Sequence, residues 1–328
     1  MSSTEQTFNV LGANFAAKHW HNSRGYPTFA LHGWLDNANT FDLLAPSLAE
    51  LDILALDFAG HGRSDHRPQG IHYHSLFDIQ DILAIADQLG WATFRLIGHS
   101  MGAAVASELA ALFPDRVESA VLIDGFLATG GVSAEDRLEQ NREAVTHMLR
   151  PAKAPRAFAN VEAMAERVTE ATDQSLDAAR ALVARGHKEI DQGVTWRTDP
   201  RIRAPTPLRY TLEQVDQLIA QTTSSGLLLA ARNGDKWYQG EIERRQKSHP
   251  NTRKSLEFNR KVDFCGVWTI CGQRVVEVWS LKVWESVEKI DLLHLYRLHY
   301  ILLLFCNLKL NMLFSGVFPK LELTTFLQ

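Results

Sequence analysis

Hydrophobic positions in the first 125 residues recur with two different periods. The runs "TFALHGW" (28–34) and "DILALDF" (52–58) are almost continuously apolar, as expected of strands buried on both faces. "ANFAAKHW" (13–20) predicts an edge strand, and Phe41–Leu48 a short helix. In Ser75–Leu89 the apolar residues Leu76, Ile79, Ile82, Leu83 and Ala86 follow a helical period. Phe94–Ile97 predicts a strand, Gly102–Leu112 a helix closed by Pro114, and Val117–Ile123 another strand. Strand–helix–strand repetition predicts an α/β domain with a mostly parallel sheet and helices on both faces. Reactive groups in such sheets gather at the carboxyl ends of the strands.

The pattern changes over residues 126–224, which are alanine-rich, charged and helical in period, with no strand predicted. "TLEQVDQLIAQ" opens with a capping box, Thr211 with Gln214 three residues on. "GLLLAA" (226–231) returns to strand character. The simplest organisation is a core of residues 1–125 and 225–253, with 126–224 inserted as a helical lid.

Composition breaks after that. Residues 1–231 contain 36 alanines and residues 232–328 none. Cys265, Cys271 and Cys306 all fall in the second part and read as free thiols, neither a disulfide set nor a metal quartet. Residues 254–328 are β-branched, leucine-rich and poorly punctuated, an atypical tail in place of the expected last strand and helix. It reads either as read-through or fusion sequence or as a divergent native tail. Its apolar run, Leu298–Leu308, is shorter than a membrane span and is interrupted by Lys309.

Net charge is −4 without a long basic run, so nucleic acid is not an expected partner. The start, "MSSTEQTFNV", lacks an apolar signal core, so a cytoplasmic location is expected.

"FRLIGHSMGAAVASELA" (94–110) carries the chemistry: an apolar strand, then Gly98-His-Ser100-Met101-Gly102, then a small-residue helix. Gly-x-Ser-x-Gly in that context is a nucleophile elbow, with Gly98 and Gly102 permitting the tight turn. "LHGW" (31–34) and "LDFAGHGRSD" (56–65) follow the two preceding strands. Together these three motifs resemble the α/β-hydrolase fold family, particularly its serine hydrolase-like branch, over roughly residues 8–253. The resemblance implies an α/β-hydrolase fold with a helical lid after the sixth strand. It also implies hydrolysis of carboxylic esters or related small acyl substrates, with no metal or organic cofactor.

In that reading Ser100 is the nucleophile, and the backbone amides of Trp34 and Met101 hold the oxyanion. His32, Asp57 and His61 read as turn-ordering residues, and His99 as pointing away from substrate. Asp124, ending the strand "VESAVLID", is the favoured acid, as in haloalkane dehalogenases; Asp235 in "ARNGDKW" is the alternative. The family's histidine should follow the last strand, and no Gly-His appears there. Only His294 and His299 remain in the tail as weak candidates, and His249 precedes the expected strand. A weak or inactive hydrolase is therefore expected, with a non-catalytic ligand-binding protein on the same scaffold as the rival. The arginines 197, 201, 203 and 209 around Asp199 read either as an anion contact or as loop ties.

Overall fold

The computed structural model describes residues 2–126, 134–150, 154–172, 174–206, 208–231 and 252–258. An eight-stranded sheet runs in the order β1-β2-β4-β3-β5-β6-β10-β11. Its strands are β1 (Thr4–Val10), β2 (Ala13–Trp20), β3 (Tyr26–Leu31), β4 (Leu51–Leu56), β5 (Phe94–His99), β6 (Val117–Ile123), β10 (Ser225–Ala231) and β11 (Thr252–Phe258). β2 pairs antiparallel with both β1 and β4, and every other pairing is parallel.

β4, "LDILAL", is buried at all six positions, as its central place requires. α1 (Ser75–Gln88) and α2 (Met101–Leu112) supply crossovers between parallel strands. α1 is capped by an imidazole, since His74 accepts from the Leu76 N–H. Phe29, Phe94 and Trp91 meet edge to face in the core, with ring centroids 5.1 and 5.2 Å apart along the chain Trp91–Phe29–Phe94.

Four expectations need correction. Residues 13–20 are an interior strand, because the polar-looking stretch "TEQTFNV" pairs outside them as β1. Phe41–Leu48 is not one helix. Two short 3₁₀ turns, Ala38–Phe41 and Ala45–Ser47, take its place, the second carrying Pro46 at its start.

The insertion is not purely helical. Besides α3 (Ala134–Met148), α4 (Val161–Ala171), α5 (Leu176–Gly186) and α6 (Leu212–Gln221), it holds a three-stranded antiparallel sheet. Its strands are β7 (Ala157–Phe158), β8 (His187–Ile190) and β9 (Gly193–Trp196), too short and too polar for their period to register. Finally, residues 252–258 form β11, parallel to β10, so a strand runs across position 254, the expected start of the atypical tail. The alternation of Leu256 and Phe258 with polar neighbours suits a strand added beside β10.

The capping box of α6 is present in full, Thr211 and Gln214 satisfying each other's backbone. α4 and α5 start on Asn160 and Ser175, each accepting from a first-turn amide.

The insertion is tied to the core by a buried ion pair. Arg185 of α5 donates from Nε to Asp57 Oδ2 at 2.7 Å, just beyond β4, and from Nη1 to Glu5 of β1 at 2.7 Å. Asp57, fully buried, also accepts from the backbone of Ala38 and Arg63. Among the described residues, no helix is long and apolar enough to cross a membrane.

Candidate active site

Ser100 follows β5 and precedes the first residue of α2. Its backbone sits at φ 49°, ψ −112°, a conformation costly for a residue with a Cβ. The turn is held on both sides. The Ser100 N–H donates to Ile123 O at 2.8 Å, and the Ser100 carbonyl accepts from Ala103 and Ala104. A serine at a helix start ordinarily caps the first turn with its hydroxyl. Here the side chain makes no capping hydrogen bond.

The glycines have a steric reason. A Cβ on Gly102 would lie 2.1 Å from Leu31 O, and one on Gly98 2.5 Å from Gly102 O. One on Gly125 would lie 2.3 Å from Ser100 O. The strand-end backbones pack too closely to admit any side chain at these points.

Asp124 is in a like position. β5 and β6 pair up to His99↔Ile123, so Asp124 follows its strand where Ser100 follows its own. Asp124 too has a positive φ, 49°, and its N–H donates to Leu229 O of β10 at 2.8 Å. Ser100, Met101, Trp34 and Asp124 all line one cavity of about 620 Å³. Met101 opens α2, so its N–H is among the first-turn amides that have no intrahelical acceptor.

The turn after β3 is ordered by His32. It donates from Nδ1 to Gly33 O at 2.8 Å and accepts at Nε2 from Phe58 N–H at 3.1 Å. Burial holds its pKa down at about 4, so it stays neutral. His61 stacks edge-on against it and is pushed lower still by burial, to about 3. His99 faces Asp36, Nδ1 to Oδ2 3.5 Å, behind the turn that carries Gly33.

The insertion closes one side of the cavity with Ile202–Thr206 and Leu208–Tyr210. Trp34 donates from its indole to Ile202 O at 3.4 Å, and Arg203 lies over its ring at 5.6 Å. The arginine group divides. Arg201 grips Asp199 and the carbonyls of Arg67 and Pro68, and Arg197 donates to His187 O: both are loop ties. Arg203 and Arg209 face the cavity.

The cavity is also lined by acids that sequence reasoning passed over. Asp78 of α1 is pushed up to about 8 by burial. Glu108 of α2 is fully buried and accepts from Tyr210 Oη at 2.5 Å. The available signal was Glu108 itself, the one charged residue in the apolar helix "MGAAVASELAAL". Asp235, His249, His294 and His299 lie outside the described residues.

A family model described as alpha/beta hydrolase fold matches residues 29–197. The chain belongs to the α/β-hydrolase fold family. Within this family it is 34% identical over 227 residues to a serine hydrolase-like protein of Danio rerio, covering 66% of this chain and 68% of that one. It is 32% identical over 210 residues to a serine hydrolase-like protein of Mus musculus, covering 62% and 67%. The chain thus spans about two thirds of the length of these relatives. Among solved structures, a hypothetical protein from Pseudomonas aeruginosa PAO1 superimposes with a TM-score of 0.78 at 34% identity, covering 84% of this chain and 99% of that one. A thioesterase domain from the curacin biosynthetic pathway shares the hydrolase fold, with a TM-score of 0.72 at 19% identity, covering 84% and 100%.

Proposed function

We propose that this chain is a serine hydrolase acting on carboxylic esters or related small acyl substrates. One observation carries the reading: Ser100 sits strained at a strand–helix junction, lines a cavity, and leaves its hydroxyl out of the helix cap. Ser100 attacks the carbonyl. The Trp34 and Met101 amides receive the oxyanion, and Asp124 orients a histidine and stabilises its imidazolium. Residues 126–224 act as a lid whose 202–210 segment sets the shape of the acyl site. Asp235 is the alternative acid.

The base is the open role, with His294 and His299 as its candidates. The cavity's own histidines suit it poorly. His74 is engaged at both nitrogens, by the Leu76 N–H and Leu208 O. His61, with its pKa near 3, is too weak a base to take the serine proton at neutral pH. This observation favours a second reading, a protein that binds acyl ligands in the cavity without turning them over.

Labelling of the purified protein with a fluorophosphonate probe separates the two, with Ser100→Ala as control. The hydrolase reading expects labelling that Ser100→Ala abolishes, together with a loss of ester hydrolysis of about 10³-fold or more. A folded wild type that binds acyl ligands but takes no label overturns it in favour of the binding protein.

A further inference from the structure

A second constellation lies at the other end of the sheet. β3, β4 and β5 run parallel, and Ser100 follows the end of β5, whereas Asp52 stands at the start of β4. β2 is antiparallel to β4 and pairs His19 with Leu54 and Trp20 with Ile53. Continuing that register by one residue sets His21 across from Asp52. Residues i and i+2 of a strand point to the same face. The pattern His19-x-His21 therefore aims both imidazoles at the face that carries the Asp52 carboxylate.

The contacts agree with this placement. His19 Nε2 is 2.8 Å from Asp52 Oδ1, and His21 Nδ1 is 3.1 Å from the same oxygen. One ligand atom from each of the three residues falls within a span of 4.8 Å. The two rings stand edge to face, 5.1 Å between centroids. Tetrahedral zinc with bonds of about 2.0–2.1 Å spaces its ligand atoms about 3.3 Å apart, so the two nitrogen–oxygen separations must open slightly and a swing of the exposed His21 ring sets the spacing between the two nitrogens.

Burial and outer contacts complete the picture. His19 and Asp52 are buried, while the His21 side chain is 62% exposed and gives an ion access from solvent. Gln6 Nε2 lies 2.8 Å from His19 Nδ1. A half-turn of that amide turns its oxygen to the ring and fixes the proton on Nδ1, which leaves Nε2 bare for a metal. An outer-shell acceptor on the far nitrogen is how ligating histidines are oriented. His21 makes the same shift, moving its proton to solvent-facing Nε2. The Asn22 N–H donates to Asp52 Oδ1 at 2.9 Å and steadies the carboxylate.

We propose that His19, His21 and Asp52 form a binding site for a divalent transition ion of the zinc type, with water at the fourth position. Two imidazoles and one carboxylate are the donor set that suits such an ion rather than calcium or magnesium. The site clamps the segment after β2 to the start of β4. It lies apart from Ser100, and no step of the proposed hydrolysis passes through it.

The test is titration of the full chain with Zn²⁺ alone, in competition with a chromogenic chelator, with melting temperature as a second readout. His21→Ala removes an exposed side chain and leaves the core intact; Asp52→Asn is the second variant. The expected result is that wild type and Ser100→Ala withdraw equal zinc. Each site variant then binds one equivalent fewer, or binds at least tenfold more weakly, and zinc raises the melting temperature of wild type but not of His21→Ala. The proposal is overturned if wild type withdraws no zinc, or if both site variants match its stoichiometry and affinity. Neither result depends on whether the protein hydrolyses esters.

Discussion

Gly102 shows how narrowly the elbow is drawn. The position is helical, and alanine is ordinarily the better helix residue there. But a Cβ would meet the Leu31 carbonyl carbon at 2.4 Å and its oxygen at 2.1 Å, and backbone atoms of a central strand have nowhere to retreat. Gly102→Ala is therefore expected to lower stability by about 3 kcal/mol, the upper end of overpacking costs, read from the urea midpoint. Any protein that still folds should have lost Ser100 labelling, because the strand and helix can separate only by opening the turn. An unchanged midpoint with full labelling contradicts this. At this scale the sequence was informative: Gly98, Ser100 and Gly102 stand out because their spacing falls between an apolar strand and a small-residue helix. Asp124 was legible as the residue ending an apolar strand, but its positive φ was not. Asp78 was invisible as a cavity wall, since which face of a helix meets a cavity depends on what packs opposite, and Glu108 offered only its lone charge in an apolar helix.

Among elements, the join between insertion and core is the informative one. Arg185 is 2% exposed and Asp57 0%. Removing one partner of a buried pair leaves the other charge without compensation. Arg185→Met is thus expected to cost about 3–5 kcal/mol, far more than loss of a surface ion pair such as Arg180–Glu162. Denaturation of Arg185→Met beside Arg180→Met measures the contrast, and equal effects would refute it. Nothing in the local pattern of α5, "LDAARALVARG", tells Arg185 from Arg180. The two differ only in which side of the helix meets the core, a fact of tertiary packing. For the same reason the apolar strands and the helices α1, α2 and α6 are legible to within a few residues, whereas the bounds of α3, α4 and α5, β1 and the strands of the small sheet are not. Strands of two to four residues owe their existence to their neighbours rather than to their own alternation.

For the whole molecule, the buried imidazoles set the response to acid. His32 and His61 hold folded pKa values of about 4 and about 3. In the unfolded chain an imidazole titrates near 6.5. Between those values the unfolded state binds protons that the native state refuses, so stability falls as pH drops from about 6.5 toward 4. Each histidine accounts for about 2 kcal/mol at pH 5. Urea unfolding at pH 7 and pH 5 measures the fall, and His61→Gln should shrink it. A variant with the same pH dependence as wild type would show that His61 is not the buried, neutral group described.

Asp57 has one more implication, for anyone exchanging parts between members of this family. Its carboxylate takes backbone amides from Ala38 and Arg63 and the guanidinium of Arg185, so two core loops and the insertion converge on a single side chain. The insertion is accordingly not a detachable cassette. A chimera that grafts a foreign segment between β6 and β10 must carry an arginine at the equivalent of Arg185. Otherwise it strands an anion beneath the graft and loosens the same loops that shape the serine's surroundings.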